Sequence, residues 1–274
     1  MLTSIINACN TIDGILKQGN YNTVFGVVYS DLKVSDVEGY DLLIVEPYFF
    51  DREKVQEIQN KGTKLIAYIS LGEVNESRDY FETFKSVGFR GINKNHGSYY
   101  IDLSSKKVHD VFLTQVISSY MELGFDGLFL DTIDAVSPYS ERKDQQANMI
   151  NLIHSIRESI PNKVIIQNAG FFLLPDTKDY IDAVAIENVA TGFNFQLDQY
   201  IIYDDSFIEE RIALVDSLST TNNIPFYIID FAEDKESELF IRNKLKDLNY
   251  PLFISNIGFE GLPNQKESYI ERED

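Results

Sequence analysis

The segment Gly124–Asp134, with the sequence GFDGLFLDTID, constrains the fold of this chain more than any other stretch. Its centre, Leu128–Leu130, is an apolar run that ends at the carboxylate Asp131. A run that is apolar on both faces is typical of a strand buried in a parallel sheet. A carboxylate is costly to bury unless something uses it, and parallel α/β folds bind ligands where their strands end. Asp131 is therefore the first candidate functional residue.

Composition limits the class of protein. The chain has 274 residues, 44% of them hydrophobic, which is enough for one sizeable core. A net charge of −19 argues against a nucleic-acid partner and is compatible with a well-solvated surface or a cationic ligand. The single cysteine, Cys9, excludes an internal disulfide framework and a multi-cysteine metal site. No apolar run is long enough to span a membrane, and the start does not resemble a signal peptide, so the chain as given reads as cytoplasmic.

Eight apolar or β-branched runs are predicted to be strands, and most are separated by stretches with helical periodicity. The predicted strands are Val24–Tyr29, Asp41–Glu46, Lys64–Ser70, Gly127–Asp131, Lys163–Gln167, Ala183–Glu187, Pro225–Asp230 and Pro251–Ser255. The predicted helices are Arg52–Lys61, Tyr80–Val87, Lys106–Leu123, Gln145–Ser159, Ser206–Thr221 and Glu233–Leu248. This pattern predicts an α/β fold, a closed (β/α)8 TIM barrel in a single domain. A doubly wound open sheet is the alternative, but the glycine-rich loop that such folds usually carry after the first strand is missing.

The barrel is predicted to occupy residues 21–260. Residues 1–20 are interpreted as an appended helix, and residues 261–274 as a polar C-terminal tail. A short strand around Tyr99–Leu103 is expected to lie outside the eight, within a long connection after the third strand.

Oxygen and amide side chains dominate the predicted strand ends, and histidine is absent from them. The three histidines fall in a loop and on helices, which excludes a Ser-His-Asp triad at the mouth and makes a histidine-rich zinc site improbable. Carboxylates with amides and tyrosines suit glycoside hydrolysis, which needs two carboxyl groups across the scissile bond. Asp131 and Glu187, at the ends of the fourth and sixth strands, form the best pair. The sequence does not choose between retention and inversion.

Six further residues are predicted to bind substrate, and they are Glu73, Tyr29, Tyr48, Asp134, Asn168 and Asp230. The chain contains no tryptophan, so tyrosine or phenylalanine rings would have to stack on sugar faces. Structural alternatives stay open at several positions. Asp131 could cap the loop that follows it, and Glu187 could form a buried ion pair. Glu73 could cap a helix, and Asn168 could form a turn with Gly170.

A cluster of oxygens could instead hold Ca²⁺ or Mg²⁺, but no Asp-x-Asp-x-Asp-Gly loop is present. We therefore expect neither a metal site nor a cofactor.

Four of these motifs together resemble a known family. They are Ile69–Glu73 (ISLGE), Gly124–Asp131 (GFDGLFLD), the strand end at Gln167–Asn168 and the strand end at Ile186–Asn188. In this order they resemble the endo-α-1,4-polygalactosaminidase family, glycoside hydrolase family 114, over about residues 24–256. The resemblance implies a (β/α)8 hydrolase of α-linked galactosamine or N-acetylgalactosamine polymers. In such enzymes the acidic pair matches Asp131 and Glu187, and Glu73 lines the site. The resemblance also suggests a secreted or cell-surface protein.

Two other classes of function remain open at this stage. One is a catalytically silent barrel that binds carbohydrate. The other is a metal-dependent lyase or aldolase-type barrel, although no lysine stands at the end of a predicted strand. We expect a monomer whose partner is a carbohydrate polymer or oligosaccharide, without nucleic acid.

Overall fold

The computed structural model describes residues 23–263 and contains the predicted barrel. Eight parallel strands form one sheet in chain order. They are Phe25–Val28, Leu42–Val45, Lys64–Ser70, Gly127–Asp131, Val164–Asn168, Ala183–Glu187, Phe226–Phe231 and Leu252–Ser255, called the first to the eighth strand below. All eight lie within a residue or two of the predicted runs. The proposed N-terminal helix and almost all of the polar tail lie outside the described residues.

The sheet curls round until its two edges meet. The rings of Phe25 in the first strand and Phe253 in the eighth lie 5.8 Å apart between centroids. Just beyond these strands, the backbone N–H of Tyr29 donates to the carbonyl oxygen of Phe259 at 3.0 Å. The fold is therefore a nearly closed (β/α)8-type barrel, as the strand pattern predicts.

The connections carry the helices. The α-helices are Arg52–Gln59, Phe81–Val87, Lys106–Val111, Ser118–Leu123, Gln146–Ser159, Leu174–Thr177, Asp205–Asn222 and Lys235–Leu245. A π-helical segment, Phe112–Ile117, joins the third and fourth of these into one run. Single 3₁₀ turns lie at Val34–Val37, Pro47–Phe49, Ile133–Val136, Lys143–Gln145, Phe171–Leu173 and Lys178–Tyr180. Between the first and second strands a 3₁₀ turn replaces the helix of an ideal barrel unit.

Two accessory β structures stand beside the mouth. After the third strand, Glu73–Val74, Ser98–Ile101 and Phe89–Asn93 form a small antiparallel sheet, which contains most of the extra strand expected near Tyr99. After the sixth strand, Thr191–Asn194 and Gln199–Ile202 pair as a hairpin that the sequence reading did not anticipate. Both connections are long enough to reach over the ends of the barrel strands.

Candidate active site

A cavity of about 780 Å³ opens at the C-terminal ends of the barrel strands. Six of the eight predicted site residues line it, and they are Tyr29, Glu73, Asp131, Asp134, Asn168 and Glu187. They come from the first, third, fourth, fifth and sixth strands or the turns just after them. The barrel therefore brings together groups that are up to 158 residues apart in the chain, from Tyr29 to Glu187.

Asp131 is held by two donors. The fourth strand is buried along Gly127–Leu130, and Asp131 is its last residue. The hydroxyl of Tyr68 donates to Asp131 Oδ2 at 2.8 Å, and Asn168 Nδ2 donates to Asp131 Oδ1 at 2.9 Å. Burial raises the pKa of Tyr68 well above its usual value, so this hydroxyl keeps its proton and remains a donor. Together the two bonds fix the orientation of the Asp131 carboxylate.

Asn168 also connects the two predicted catalytic residues. Its Nδ2 donates to Glu187 Oε1 at 2.9 Å, the same length as its bond to Asp131 Oδ1. Asp131 Oδ1 and Glu187 Oε1 therefore lie no further apart than twice 2.9 Å. Two oxygens this close repel when both groups are charged, so one group retains a proton more readily.

Glu187 is the group of this pair that retains a proton more readily. Burial raises the pKa of Glu187 to about 7, and the nearby charges of Asp131 and Asp134 act in the same direction. The hydrogen bond from Asn168 opposes this shift. No ion pair to Glu187 is found among residues 23–263, so the alternative of a buried salt bridge does not describe it. A carboxylic acid beside a second carboxyl group is the arrangement that acid–base chemistry at a glycosidic bond requires.

Glu73 joins the accessory sheet to the cavity. Its carboxylate accepts hydrogen bonds from Asn93 Nδ2 at 3.0 and 3.2 Å and from the hydroxyl of Ser98. Gly72, just before it, approaches so closely that a Cβ atom would lie 2.3 Å from the carbonyl oxygen of Thr132. Glu73 is thus fixed at the cavity wall, and no helix begins at it for it to cap.

Three turns of the same kind follow three neighbouring strands. Thr132, Ala169 and Asn188 have φ angles of 59°, 51° and 61°, in the left-handed region that favours glycine. Each comes immediately after a residue of the site, at the ends of the fourth, fifth and sixth strands. The chain turns away sharply there, which leaves the side chains of Asp131, Asn168 and Glu187 facing the cavity.

The structure corrects the prediction for Asp230. Its carboxylate accepts hydrogen bonds from the backbone of Ala190 at 2.7 Å and of Thr191 at 3.0 Å, and from the Thr191 hydroxyl at 2.7 Å. The side chain is fully buried and does not line the cavity. The seventh strand continues to Phe231, and successive residues of a strand point to opposite faces. Phe231 therefore faces the cavity, while Asp230 supports the start of the hairpin after the sixth strand.

Tyr48 is also placed differently from the prediction. It lies in a 3₁₀ turn after the second strand and is 81% exposed. It lines a neighbouring groove rather than the cavity that contains Asp131 and Glu187.

Sequence reasoning missed several residues that line the cavity, among them Tyr68, Arg78, Arg142, Asn188 and Arg211. Tyr68 could have been found by counting back two residues from Ser70, because alternate residues of a strand share a face. Arg211 comes from the helix after the sixth strand and donates from Nη2 to the carbonyl oxygen of Glu187 at 2.8 Å. No strand-end pattern marks a residue in the middle of a helix.

Three buried polar atoms around the cavity lack a hydrogen-bond partner in the structure: Asn168 Oδ1, Asn188 Oδ1 and Arg211 Nε. A buried polar group without a partner costs free energy, which a ligand or water can recover. Two acceptors and one donor are therefore available near Glu187 for a polar ligand.

A ring contact connects the two accessory structures beside the mouth. His96, at the tip of the small sheet, lies edge-to-face against Phe195 of the hairpin, with 5.0 Å between ring centroids. Both residues line the cavity. The connections after the third and sixth strands thus meet beside the mouth of the barrel.

The part of the chain that the structure describes contains no group of three or more His, Cys, Asp or Glu side chains placed to hold a metal ion. Within the same residues, no helix is both long and apolar enough to cross a membrane.

Comparison with known proteins decides the family. The model of glycoside-hydrolase family GH114 matches residues 13–211, well over half of the chain. The chain belongs to family GH114. The resemblance inferred from its motifs is confirmed.

The chain is also similar in sequence to an archaeal protein. The uncharacterized protein MJ1477 of Methanocaldococcus jannaschii is 25% identical over an alignment of 236 residues, and the match covers 75% of this chain and 65% of that protein. The chain thus spans somewhat less than two thirds of the length of this relative.

Two solved structures share the GH114 barrel. The glycoside hydrolase domain of PelA from Pseudomonas aeruginosa superimposes with a TM-score of 0.78 at 20% identity, covering 88% of this chain and 97% of that domain. Ega3 of Aspergillus fumigatus, solved in complex with galactosamine, superimposes with a TM-score of 0.67 at 16% identity, covering 87% and 92%. At these identities the likeness shows the fold.

Proposed function

We propose that this protein is a glycosidase that cleaves α-linked galactosamine or N-acetylgalactosamine polysaccharide, with Asp131 and Glu187 as its two catalytic carboxyl groups. The observation that carries the proposal is the pair itself. Asn168 bridges the two groups through bonds of 2.9 Å, and burial raises the pKa of Glu187 to about 7. A carboxyl group that keeps its proton near neutral pH, with a second carboxyl group at close range, supplies the two parts of the reaction.

Their separation favours a retaining mechanism. Carboxyl groups of retaining glycosidases lie about 5–5.5 Å apart, whereas inverting enzymes need about 6.5–9.5 Å to admit a water molecule. Because Asn168 donates to both groups, the nearest oxygens of Asp131 and Glu187 are held at the shorter separation, that of the retaining enzymes. Asp131, held in place by the hydrogen bond from Tyr68, is suited to be the nucleophile.

The reaction then proceeds in two steps. Glu187 donates its proton to the glycosidic oxygen while an Asp131 oxygen attacks the anomeric carbon and the glycosidic bond breaks. Glu187, now ionised, takes a proton from water, whose oxygen attacks the same carbon and releases Asp131. The sugar leaves with its original anomeric configuration, and Glu187 is protonated again.

Charge and hydrogen bonding support an amino sugar as substrate. The unpartnered oxygens Asn168 Oδ1 and Asn188 Oδ1 can accept from an amino or hydroxyl group, and the carboxylates of Glu73 and Asp134 lie at the same cavity. The net charge of −19 attracts a cationic, partly deacetylated polymer. Among structures with this fold, Ega3 holds galactosamine.

The test is product release from a polysaccharide panel by the wild type, Asp131→Asn and Glu187→Gln. The panel contains α-1,4-linked polygalactosamine at several degrees of N-acetylation, with chitosan and an α-galactan for comparison. Asp247→Asn and Glu57→Gln remove exposed carboxylates outside the cavity and serve as matched controls. We expect both site variants to lose at least about 10³-fold in kcat on the galactosamine polymers, and the controls to lose nothing.

Equal release by all five proteins would remove Asp131 and Glu187 from the chemistry. Binding of an oligosaccharide without release from any polymer would instead identify a silent carbohydrate-binding barrel. The anomer formed first, followed by proton NMR, separates retention from inversion.

A further inference from the structure

A second groove, of about 650 Å³, lies next to the catalytic cavity. Three residues, Tyr29, Arg78 and Tyr80, line both spaces. The groove continues between the turn after the second strand and the helical run after the small sheet. The two spaces are therefore neighbours along one continuous surface.

The divider between the two spaces is an ion pair of fixed geometry. Arg78 Nη1 and Nη2 donate to the two carboxylate oxygens of Glu46, both at 2.7 Å. Such a bidentate pair orients the planar guanidinium and neutralises its charge. Burial among these groups raises the pKa of Tyr80 to about 12, so its hydroxyl keeps its proton. The divider thus presents flat, hydrogen-bonding surfaces to both sides.

One wall of the groove carries an aromatic ring that the fold leaves in solvent. Tyr48 is 81% exposed, and its position is set by the rigid turn Pro47–Phe49, where Glu46 caps the backbone N–H of Tyr48. Its ring lies edge-to-face against Phe49, at 5.4 Å between centroids. An exposed ring has an apolar face available to a ligand, and the apolar faces of sugar rings fit such surfaces.

The opposite side of the groove is polar. Ser77, Asp79, Gln115 and Ser119 line it, and all four are exposed. The carboxylate of Asp79 forms no hydrogen bond or ion pair with any other residue from 23 to 263. It can therefore accept from an ammonium group without first losing another partner.

We propose that this groove is an extension of the substrate cleft, in which further amino-sugar units of the same polymer bind with a ring against Tyr48 and an amino group at Asp79. The inference rests on the proposed function, because it assumes that the chain crossing the catalytic cavity is an amino-sugar polymer. The groove would be a second region of substrate binding, separate from Asp131 and Glu187, that raises the affinity for long chains.

The experiment compares chain lengths. α-1,4-Linked galactosamine oligosaccharides of about two to ten units are assayed with the wild type, Tyr48→Ala and Asp79→Asn. Tyr139→Ala is the matched control, because Tyr139 is 99% exposed and lines neither space. We expect Tyr48→Ala to lower kcat/KM on the longest chain roughly 3- to 10-fold, with the loss shrinking as the chain is shortened. Asp79→Asn should behave similarly, and more strongly at low salt.

Two outcomes would overturn the proposal that the groove binds further sugar units. One is a ratio of long-chain to short-chain kcat/KM that is the same in Tyr48→Ala, Asp79→Asn and the wild type. The other is an equal loss on all chain lengths, which would place the effect in the catalytic cavity.

Binding separates failure of the groove from failure of the proposed function. The same oligosaccharides are titrated calorimetrically into Glu187→Gln and into the double variant with Tyr48→Ala. Suppose that the wild type cleaves no chain, but the longest chain binds more weakly to the double variant than to Glu187→Gln while the shortest binds equally to both. The proposed groove is then supported and the proposed activity is not. If no chain binds to either protein, both proposals are overturned.

Discussion

The hydroxyl of Tyr68 lies 2.8 Å from Oδ2 of Asp131 and donates a hydrogen bond to it. Tyr68 belongs to the third strand and Asp131 to the fourth, and the two strands pair in parallel, with Ser70 next to Asp131. The donor therefore comes from the neighbouring strand and lines the same cavity as its acceptor. Its role is to hold the carboxylate of the proposed nucleophile in place.

Tyr68→Phe should lower kcat/KM about 10-fold, because the Asp131 carboxylate loses a hydrogen bond worth about 1–2 kcal/mol. The ring and its packing remain, so the protein should fold normally. The value of kcat/KM is measured on the best polymer, with Tyr99→Phe, outside the cavity, as control. An unchanged kcat/KM would show that Tyr68 does not act on the nucleophile.

Glu187 should determine the alkaline limb. With its pKa at about 7, kcat/KM is expected to fall tenfold per pH unit above that value, because the ionised form cannot protonate the leaving group. Asp134→Asn should shift this limb to lower pH, since the charge of Asp134 contributes to the raised pKa of Glu187. A limb that stays in place in Asp134→Asn would disconnect the two groups.

The same carboxyl group should make stability depend on pH. The folded protein holds the Glu187 proton up to about pH 7, whereas the unfolded chain releases it near the ordinary glutamate pKa of 4.5. Between these values the folded state binds more protons, so the free energy of unfolding falls as pH rises. Glu187→Gln removes this loss and should be more stable than the wild type by about 1–3 kcal/mol at pH 8, but similar to it at pH 4.

Urea denaturation of both proteins at the two pH values measures this difference, with Glu57→Gln as the control for a solvent-exposed change. A variant that gains no stability at pH 8 relative to pH 4 would mean that Glu187 does not retain its proton on folding.

Ala169 offers a test of backbone strain. Its φ of 51° is unfavourable for a residue with a Cβ atom, so Ala169→Gly should raise the free energy of unfolding by about 0.5–1 kcal/mol despite the added freedom of the unfolded chain. Ala183→Gly is the comparison, because Ala183 is buried in the sixth strand and should lose stability on the same substitution. Thermal unfolding of the two variants gives opposite signs if strain at Ala169 is real.

The barrel strands were predictable because burial on both faces produces continuous apolar runs, which a helix-flanked parallel sheet requires. The carboxylate pair was predictable for a related reason, since each member directly follows such a run, as Asp131 follows Leu128–Leu130. The ends of some helices also follow the usual sequence preferences for capping residues. Asp51 caps its helix by accepting from the backbone N–H of Lys54 at 2.9 Å, and Gly124 ends another with a φ of 104°.

The sequence located these residues along the chain but not the directions of their side chains. Successive residues of the seventh strand point to opposite faces, so Phe231 faces the cavity and Asp230 does not. Tyr48 follows the second strand as predicted, but the turn Pro47–Phe49 carries it into the neighbouring groove, where we propose that it binds substrate. Arg211 reaches Glu187 from a helix, a long-range contact that a local pattern cannot contain.

The left-handed residues Thr132, Ala169 and Asn188 matter to anyone who would move this site into another scaffold. Grafting only Asp131, Asn168 and Glu187 onto three strands of a different barrel would transfer the functional groups without the turns that aim them. Each functional residue and the strained residue after it form a two-residue module, and the portable site is three such modules on adjacent strands. The smallest transplant is therefore six residues rather than three.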